Sequence, residues 1–121
     1  MLFPVWRNYE IRKYVLFSGF MEIGSEQWKS ILFDGANVFD IHMDPEKANL
    51  FAVHASELLN WNRRINLTAV TDPFEIAVKH CVDSMAPARI IPPGASMLDI
   101  GSGGGFPGIP LKILIPSLSV T

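Results

Sequence analysis

The residue types that could do chemistry are most tightly spaced in Met97-Leu98-Asp99-Ile100-Gly101-Ser102-Gly103-Gly104-Gly105-Phe106-Pro107-Gly108. Met97, Leu98 and Ile100 are apolar and a glycine turn follows at once. That pattern predicts a short parallel strand covered on both faces. Glycines at 101, 103 and 105 permit positive φ and carry no Cβ to hold a ligand away. Ile109, Leu111, Ile113 and Leu114 then predict a compact helix that stops before Pro116. Pro107 and Pro110 fall just before it or in its first turn, where a missing N–H costs least. The free N–H groups of such a helix start attract anions and polar ligands. The stretch therefore reads as a nucleotide-type cradle at the carboxyl end of a first strand.

Two ligands compete for this cradle. The dinucleotide fingerprint G-x-G-x-x-G fits Gly103, Gly105 and Gly108, but it starts two residues late, because the strand ends at Ile100. The register Asp99-x-Gly101-x-Gly103-x-Gly105 starts directly after the strand. It resembles motif I of the class I S-adenosylmethionine-dependent methyltransferases. A turn that binds nothing would give up chain entropy at five glycines with no packing return.

The elements that must position this loop lie upstream. Ser25-Glu26-Gln27 has the form of a helix start, with Ser25 as N-cap. Trp28, Ile31 and Leu32 share a face, and Gly35 is the expected stop, with 36–43 as a connector. Asp44-Pro45-Glu46 is a stronger start, with Asp44 capping and Pro45 in the first helical position. The helix it opens should run to Asn62. It buries a face of Ala48, Phe51, Ala52, Ala55, Leu58, Leu59 and Asn62, with His54 beside that stripe as a partly buried, packed histidine. Arg63 and Arg64 follow. They suit either phosphate contact or a solvated helix end whose cations meet the negative dipole. Asp72-Pro73 repeats the cap-and-proline signal. Phe74, Ile76, Ala77, Val78 and Cys81 make a short helix expected to lean on the sheet. Pro92-Pro93-Gly94 turns the chain into the strand at 96–100, and Ser119-Val120-Thr121 begins a second strand.

Composition narrows the class. The 121 residues are 49% hydrophobic, which suits one small globular domain. Ten Lys and Arg against twelve Asp and Glu give a net charge of −2, so no nucleic-acid binder is announced by charge alone. Residues 1–60 hold five basic and eight acidic side chains and residues 61–121 hold five and four, so a polyanion would prefer the second half. A single cysteine, Cys81, excludes an internal disulfide and fits a reducing cytoplasm; it reads as a core residue. No apolar run reaches membrane-spanning length, and Met1 to Ile23 is broken by Arg7, Glu10, Arg12 and Lys13, unlike a signal peptide. His42, His54 and His80 are too scattered for a metal centre. His80, Asp83 and Ser84 lack the nucleophile elbow of a hydrolase triad.

Three blocks in order then resemble one family. They are Leu59-Asn60-Trp61-Asn62 through Ile65-Asn66-Leu67-Thr68, then Asp72-Pro73 through Lys79-His80 to Asp83-Ser84, then Leu98 through Leu111. Together they resemble the bacterial small-subunit ribosomal RNA guanine-N7 methyltransferases, also called the glucose-inhibited division protein B family. The resemblance is strong over 44–121, weak over 25–43, and does not reach 1–20. It implies an α/β protein: a helical N-terminal part followed by the first strand, glycine loop and helix of a Rossmann-like class I methyltransferase fold. The division it suggests is an extension at 1–24, a helical region at 25–88 and the start of the S-adenosylmethionine-binding domain at 89–121. Residues 1–20 should be disordered or a separate helix with few contacts to 44–121.

The same resemblance implies an enzyme that methylates N7 of a guanine in 16S ribosomal RNA, in the free RNA or the small ribosomal subunit, in the cytoplasm. Gly101 and Phe106 would contact S-adenosylmethionine, with Ser102 beside them. Gly103 and Gly105 would shape the turn, and Asp99 would orient the loop or the amino-acid end of the cofactor. Arg63, Arg64, Lys79 and His80 become candidates for RNA contact. Lys79, His80, Asp83 and Ser84 would lie near the mouth of the site. Family members continue past Thr121, where an acid after the second strand would hold the ribose. The expectation is a C-terminally truncated portion, inactive by itself. The alternatives are a helical binding module without activity and a fragment of a dinucleotide-binding oxidoreductase.

Overall fold

The computed structural model describes residues 21–100 and 103–121. Residues 1–20 of the extension at 1–24, and Gly101 and Ser102, lie outside the described residues. Among the described residues the chain is helix-rich, with one short parallel sheet of two strands.

Helix α1 spans Glu26–Val38, with the Ser25 hydroxyl accepting from the Trp28 N–H at 3.2 Å. It does not stop at Gly35, as the sequence suggested. Gly35 is buried within the helix beside Ile31, Leu32 and Ala36. The stop comes later, where Asp40 takes φ 56° and the Ile41 N–H reaches back to the Ala36 carbonyl at 2.8 Å. That is a Schellman ending with aspartate in the left-handed position usually given to glycine. Helix α2 spans Pro45–Asn62, capped by Asp44, whose carboxylate accepts from the Lys47 N–H at 2.8 Å. Its buried face is Ala48, Phe51, Ala55 and Leu58, with Ala52, Leu59 and Asn62 half-buried.

The third helical stretch starts with Asp72 accepting from the Glu75 N–H at 3.0 Å. It opens as one α turn (Pro73–Glu75), widens to a π-helix (Ile76–Val82) and tightens to a 3₁₀-helix (Asp83–Ile90) containing Pro87. Ile76, Ala77, Val78, Cys81, Val82 and Met85 are buried. The stretch packs chiefly on α1, not on the sheet, and its 3₁₀ part meets the last helix. The Trp28 indole N–H donates to the Pro73 carbonyl at 2.9 Å and fastens the two helices together. Met21 and Ile23, just ahead of α1, pack into this core as well. Burial pushes the Cys81 thiol far above its usual range, as a core cysteine requires.

Strand β1 (Ser96–Met97), the glycine loop, helix α3 (Gly108–Leu114) and strand β2 (Ser119–Val120) complete a parallel β–α–β unit. Ser96 pairs with Ser119 and Met97 with Val120. The ladder extends through Asp99 N–H to the Thr121 carbonyl at 2.9 Å. Lys112 donates to the Pro116 and Leu118 carbonyls, placing a cation at the negative end of α3. The strand is shorter than expected and is not covered on both faces. Leu98 is 68% exposed and Ile100 82%. Among the described residues β1 has one strand neighbour, and α3 packs on that neighbour, β2.

Candidate cofactor site

The glycine loop is held from three directions. At its exit, an Asp99 carboxylate oxygen accepts from the Gly108 N–H at 3.0 Å. The anion thus sits at the start of α3 and ties the end of β1 to it. A Cβ at Gly108 would lie 2.5 Å from that same oxygen, so only glycine lets the carboxylate approach. Within the loop, Gly103 and Gly105 have φ of 58° and 89°, backbone that other residues rarely adopt.

Helix α2 supplies the second hold. His54 Nε2–H donates to the Gly104 carbonyl at 2.7 Å. The carbonyl can only accept, so Nε2 carries the proton and Nδ1 is left with its lone pair. Among the described residues Nδ1 is buried without a partner. Protonating it would place an unpaired donor in a dry position, and burial accordingly holds this imidazole below its usual pKa despite the Gly104 bond. Leu58, one turn on, lies so close that a Cβ at Gly104 would come within 2.5 Å of its Cδ1.

The third hold is a stack of rings. Phe106 lies between His54, with centroids 4.5 Å apart, and His80, at 4.7 Å with planes 22° apart. His80 is positioned in turn by Thr68, whose hydroxyl lies 2.8 Å from Nε2 and also accepts from the Val70 N–H. Burial lowers the His80 pKa, with the His54 imidazole next and Lys79 adding in the same direction, against the Asp83 carboxylate. Asn62 fixes the connecting loop, its side-chain oxygen accepting from the Leu67 and Thr68 N–H groups at 2.8 and 3.0 Å. Between α2 and the glycines lies a cavity of about 400 Å³, bordered by His54, Leu58, Trp61, Leu67 and Gly103–Gly105.

The sequence-derived candidates therefore divide. Asp99, Gly103, Gly105, Phe106 and His80 converge on one loop. Arg63 and Arg64 are exposed just past the end of α2, and neither borders the cavity. Lys79 is turned to its own helix and pairs with Glu75 at 2.9 Å, so it does not reach the loop. Ser84 is buried and its hydroxyl donates to the His80 carbonyl, which disposes of any hydrolase triad. Among the described residues no His, Cys, Asp and Glu cluster could hold a metal. His54 and Asn62 hold these loops, and periodicity alone reads them as packing. The available signal was that His54, Leu58 and Trp61 step at four and three along α2 toward the same loop.

Comparison with known proteins gives the family. The family described as rRNA small subunit methyltransferase G matches residues 47–121. The chain belongs to this family. Among curated relatives, "Ribosomal RNA small subunit methyltransferase G" of Geotalea uraniireducens is 45% identical over 96 residues, covering 79% of this chain and 44% of the relative. The Geobacter sulfurreducens protein of that name is 46% identical over 89 residues, 74% of this chain and 41% of its own length. The Myxococcus xanthus protein is 52% identical over 66 residues, 54% of this chain and 30% of its own. The chain thus spans less than half the length of these relatives. The family match begins inside α2 and includes every residue that holds the loop. No helix among the described residues is long and apolar enough to cross a membrane.

Proposed function

We propose that this chain carries the methyl-donor half of an enzyme that transfers a methyl group from S-adenosylmethionine to N7 of a guanine in 16S ribosomal RNA, in the cytoplasm. The observation that carries the reading is the clamp of Asp99 on the Gly108 N–H, at the end of a parallel strand and across a glycine turn, in a chain of this family. The β–α–β unit is read accordingly as the opening of a Rossmann-like fold. A glycine loop without side chains, beside a cavity of about 400 Å³, fits a ligand of nucleoside size.

In this reading Gly101, Ser102, Gly103, Gly105 and Phe106 line the cofactor, and Asp99 orients the loop. The bound cofactor supplies an activated methyl on a sulfonium. Guanine N7 offers a lone pair and carries no proton, so this chain needs no general base. His54 and His80 accordingly serve to fix Phe106 and the Gly104 carbonyl, not to move protons. The work left to the protein is alignment and exclusion of water. Arg63 and Arg64 lie on the side from which RNA phosphates would approach; His80 belongs to the wall of the cofactor site, and Lys79 is the weakest of the RNA candidates.

The test is to supply the protein with undermethylated 16S ribosomal RNA and S-adenosylmethionine labelled in the methyl group, and to analyse nucleosides after digestion. Label in 7-methylguanosine is expected from a chain of the relatives' full length. Label in another nucleoside would refute the guanine-N7 assignment. Binding of NAD in place of S-adenosylmethionine would refute the cofactor.

A further inference from the structure

Helix α2 ends in a tryptophan that the core does not use. Trp61 is 52% exposed, yet its ring borders the cavity that the glycines line. Ile65, one turn on, is 54% exposed as well, its N–H donating to the Trp61 carbonyl at 3.1 Å. The Arg64 guanidinium lies 5.9 Å from the Trp61 ring centroid. One turn earlier on the same helix face, Glu57 lines the same cavity. Packing accounts for Trp28, which is fully buried; it does not account for Trp61.

We propose that Trp61 is a stacking platform for an unpaired RNA base, with Arg64 taking the adjoining phosphate. The inference rests on the RNA-methyltransferase reading above and adds where the strand lies. An indole with an open face binds any base by stacking, which favours single-stranded or splayed RNA over duplex. An exposed cation–π contact is weak, so Arg64 is free to turn to a phosphate while the base takes the ring. The charges give the direction. The Glu57 carboxylate repels phosphate from the cavity side, so the base faces inward and the backbone runs along the Arg64 side. Trp61 thereby holds the strand next to the glycine loop without itself selecting the base.

The experiment is fluorescence anisotropy of the full chain with a fluorescein-labelled single-stranded RNA decamer, beside the corresponding duplex. The single strand should bind more tightly. Trp61→Ala should weaken it about tenfold, the size of one lost base–aromatic stack, and Trp61→Phe should stay within about threefold of wild type. Arg64→Ala should lower the slope of log affinity against log salt by about 0.7, one phosphate contact on a single strand. Photo-cross-linking of wild-type protein to a 5-bromouracil-substituted decamer needs no variant to fold, and should mark the peptide containing Trp61. Unchanged affinity in a folded Trp61→Ala, equal binding of duplex, or cross-links only away from α2 would each overturn the proposal. S-adenosylmethionine binding is measured on the same proteins. Its absence from wild type would refute the cofactor assignment and leave a Trp61-dependent RNA affinity standing.

Discussion

The two parts of this chain are built to different standards of burial. In the helical part Trp28, Ile31, Leu32, Phe51 and Ile76 are fully buried, and both α1 and α2 are capped by side chains that their sequences announce. In the strand part Leu98 and Ile100 are mostly exposed and the ladder has two short strands. The glycine loop belongs to the second part by sequence but is held by the first. His54 and Leu58 of α2 meet Gly104, and Phe106 rests between His54 and His80. The difference teaches that the helical region is more than an appendage ahead of the β–α–β unit: it is the wall against which the loop is set.

The largest effect should come from breaking the rigid side. Phe51→Ala removes a fully buried ring and should cost ~3–5 kcal/mol, a melting shift of at least ~10 °C. Leu98→Ala, a like change at an exposed position just after β1, should stay within ~0.5 kcal/mol. Equal losses in calorimetric melting of the two variants would erase the contrast. Next in size is Gly105→Val. A branched side chain at φ 89° is strained, and its Cβ would fall 2.5 Å from Ile109 Cδ1 and 3.2 Å from His54 Nε2. Cofactor affinity should fall by tenfold or more while the helical core melts nearly as before. A variant that binds normally would place the ligand elsewhere.

Much of this division was legible in the residues. Ser25, Asp44 and Asp72 each cap the helix they were expected to cap, because short polar side chains before a helix have few other uses. The glycine stretch named its own turn, and Ser119-Val120 its strand. Gly35 misled, because the packing of Ile31, Leu32 and Ala36 carries α1 past it and Asp40 takes over the left-handed ending. Leu98 and Ile100 stay exposed because an apolar run records what a strand tolerates, not which neighbours it has, and among the described residues β1 has one strand neighbour. The hold of α2 on the loop was hidden for a different reason. His54 and Gly104 are fifty positions apart, and no local pattern encodes a bond across that distance.

A smaller effect should follow acidification. His54 is held neutral in the folded state, with its pKa below the ordinary 6.5, and His80 is shifted the same way. The unfolded chain therefore binds more protons, and stability rises with pH through that range. The contribution is complete above about pH 6.5 and declines as pH falls toward the depressed folded-state values. Melting followed between about pH 7 and pH 5 should show this slope, and His54→Gln should flatten it in part. A flat profile in wild type would mean that His54 is not held in its neutral form.

The most direct test asks whether α2 sets the glycine loop through His54, as the proposed cofactor site requires. Calorimetric titration of S-adenosylmethionine should be run on wild type, His54→Ala and His54→Gln in parallel, with the helical melting of each recorded. The expected result is binding by wild type, about fivefold weaker binding by His54→Ala for one lost hydrogen bond, and recovery in His54→Gln, whose amide N–H can again reach the Gly104 carbonyl. Wild-type affinity in a folded His54→Ala would contradict the account.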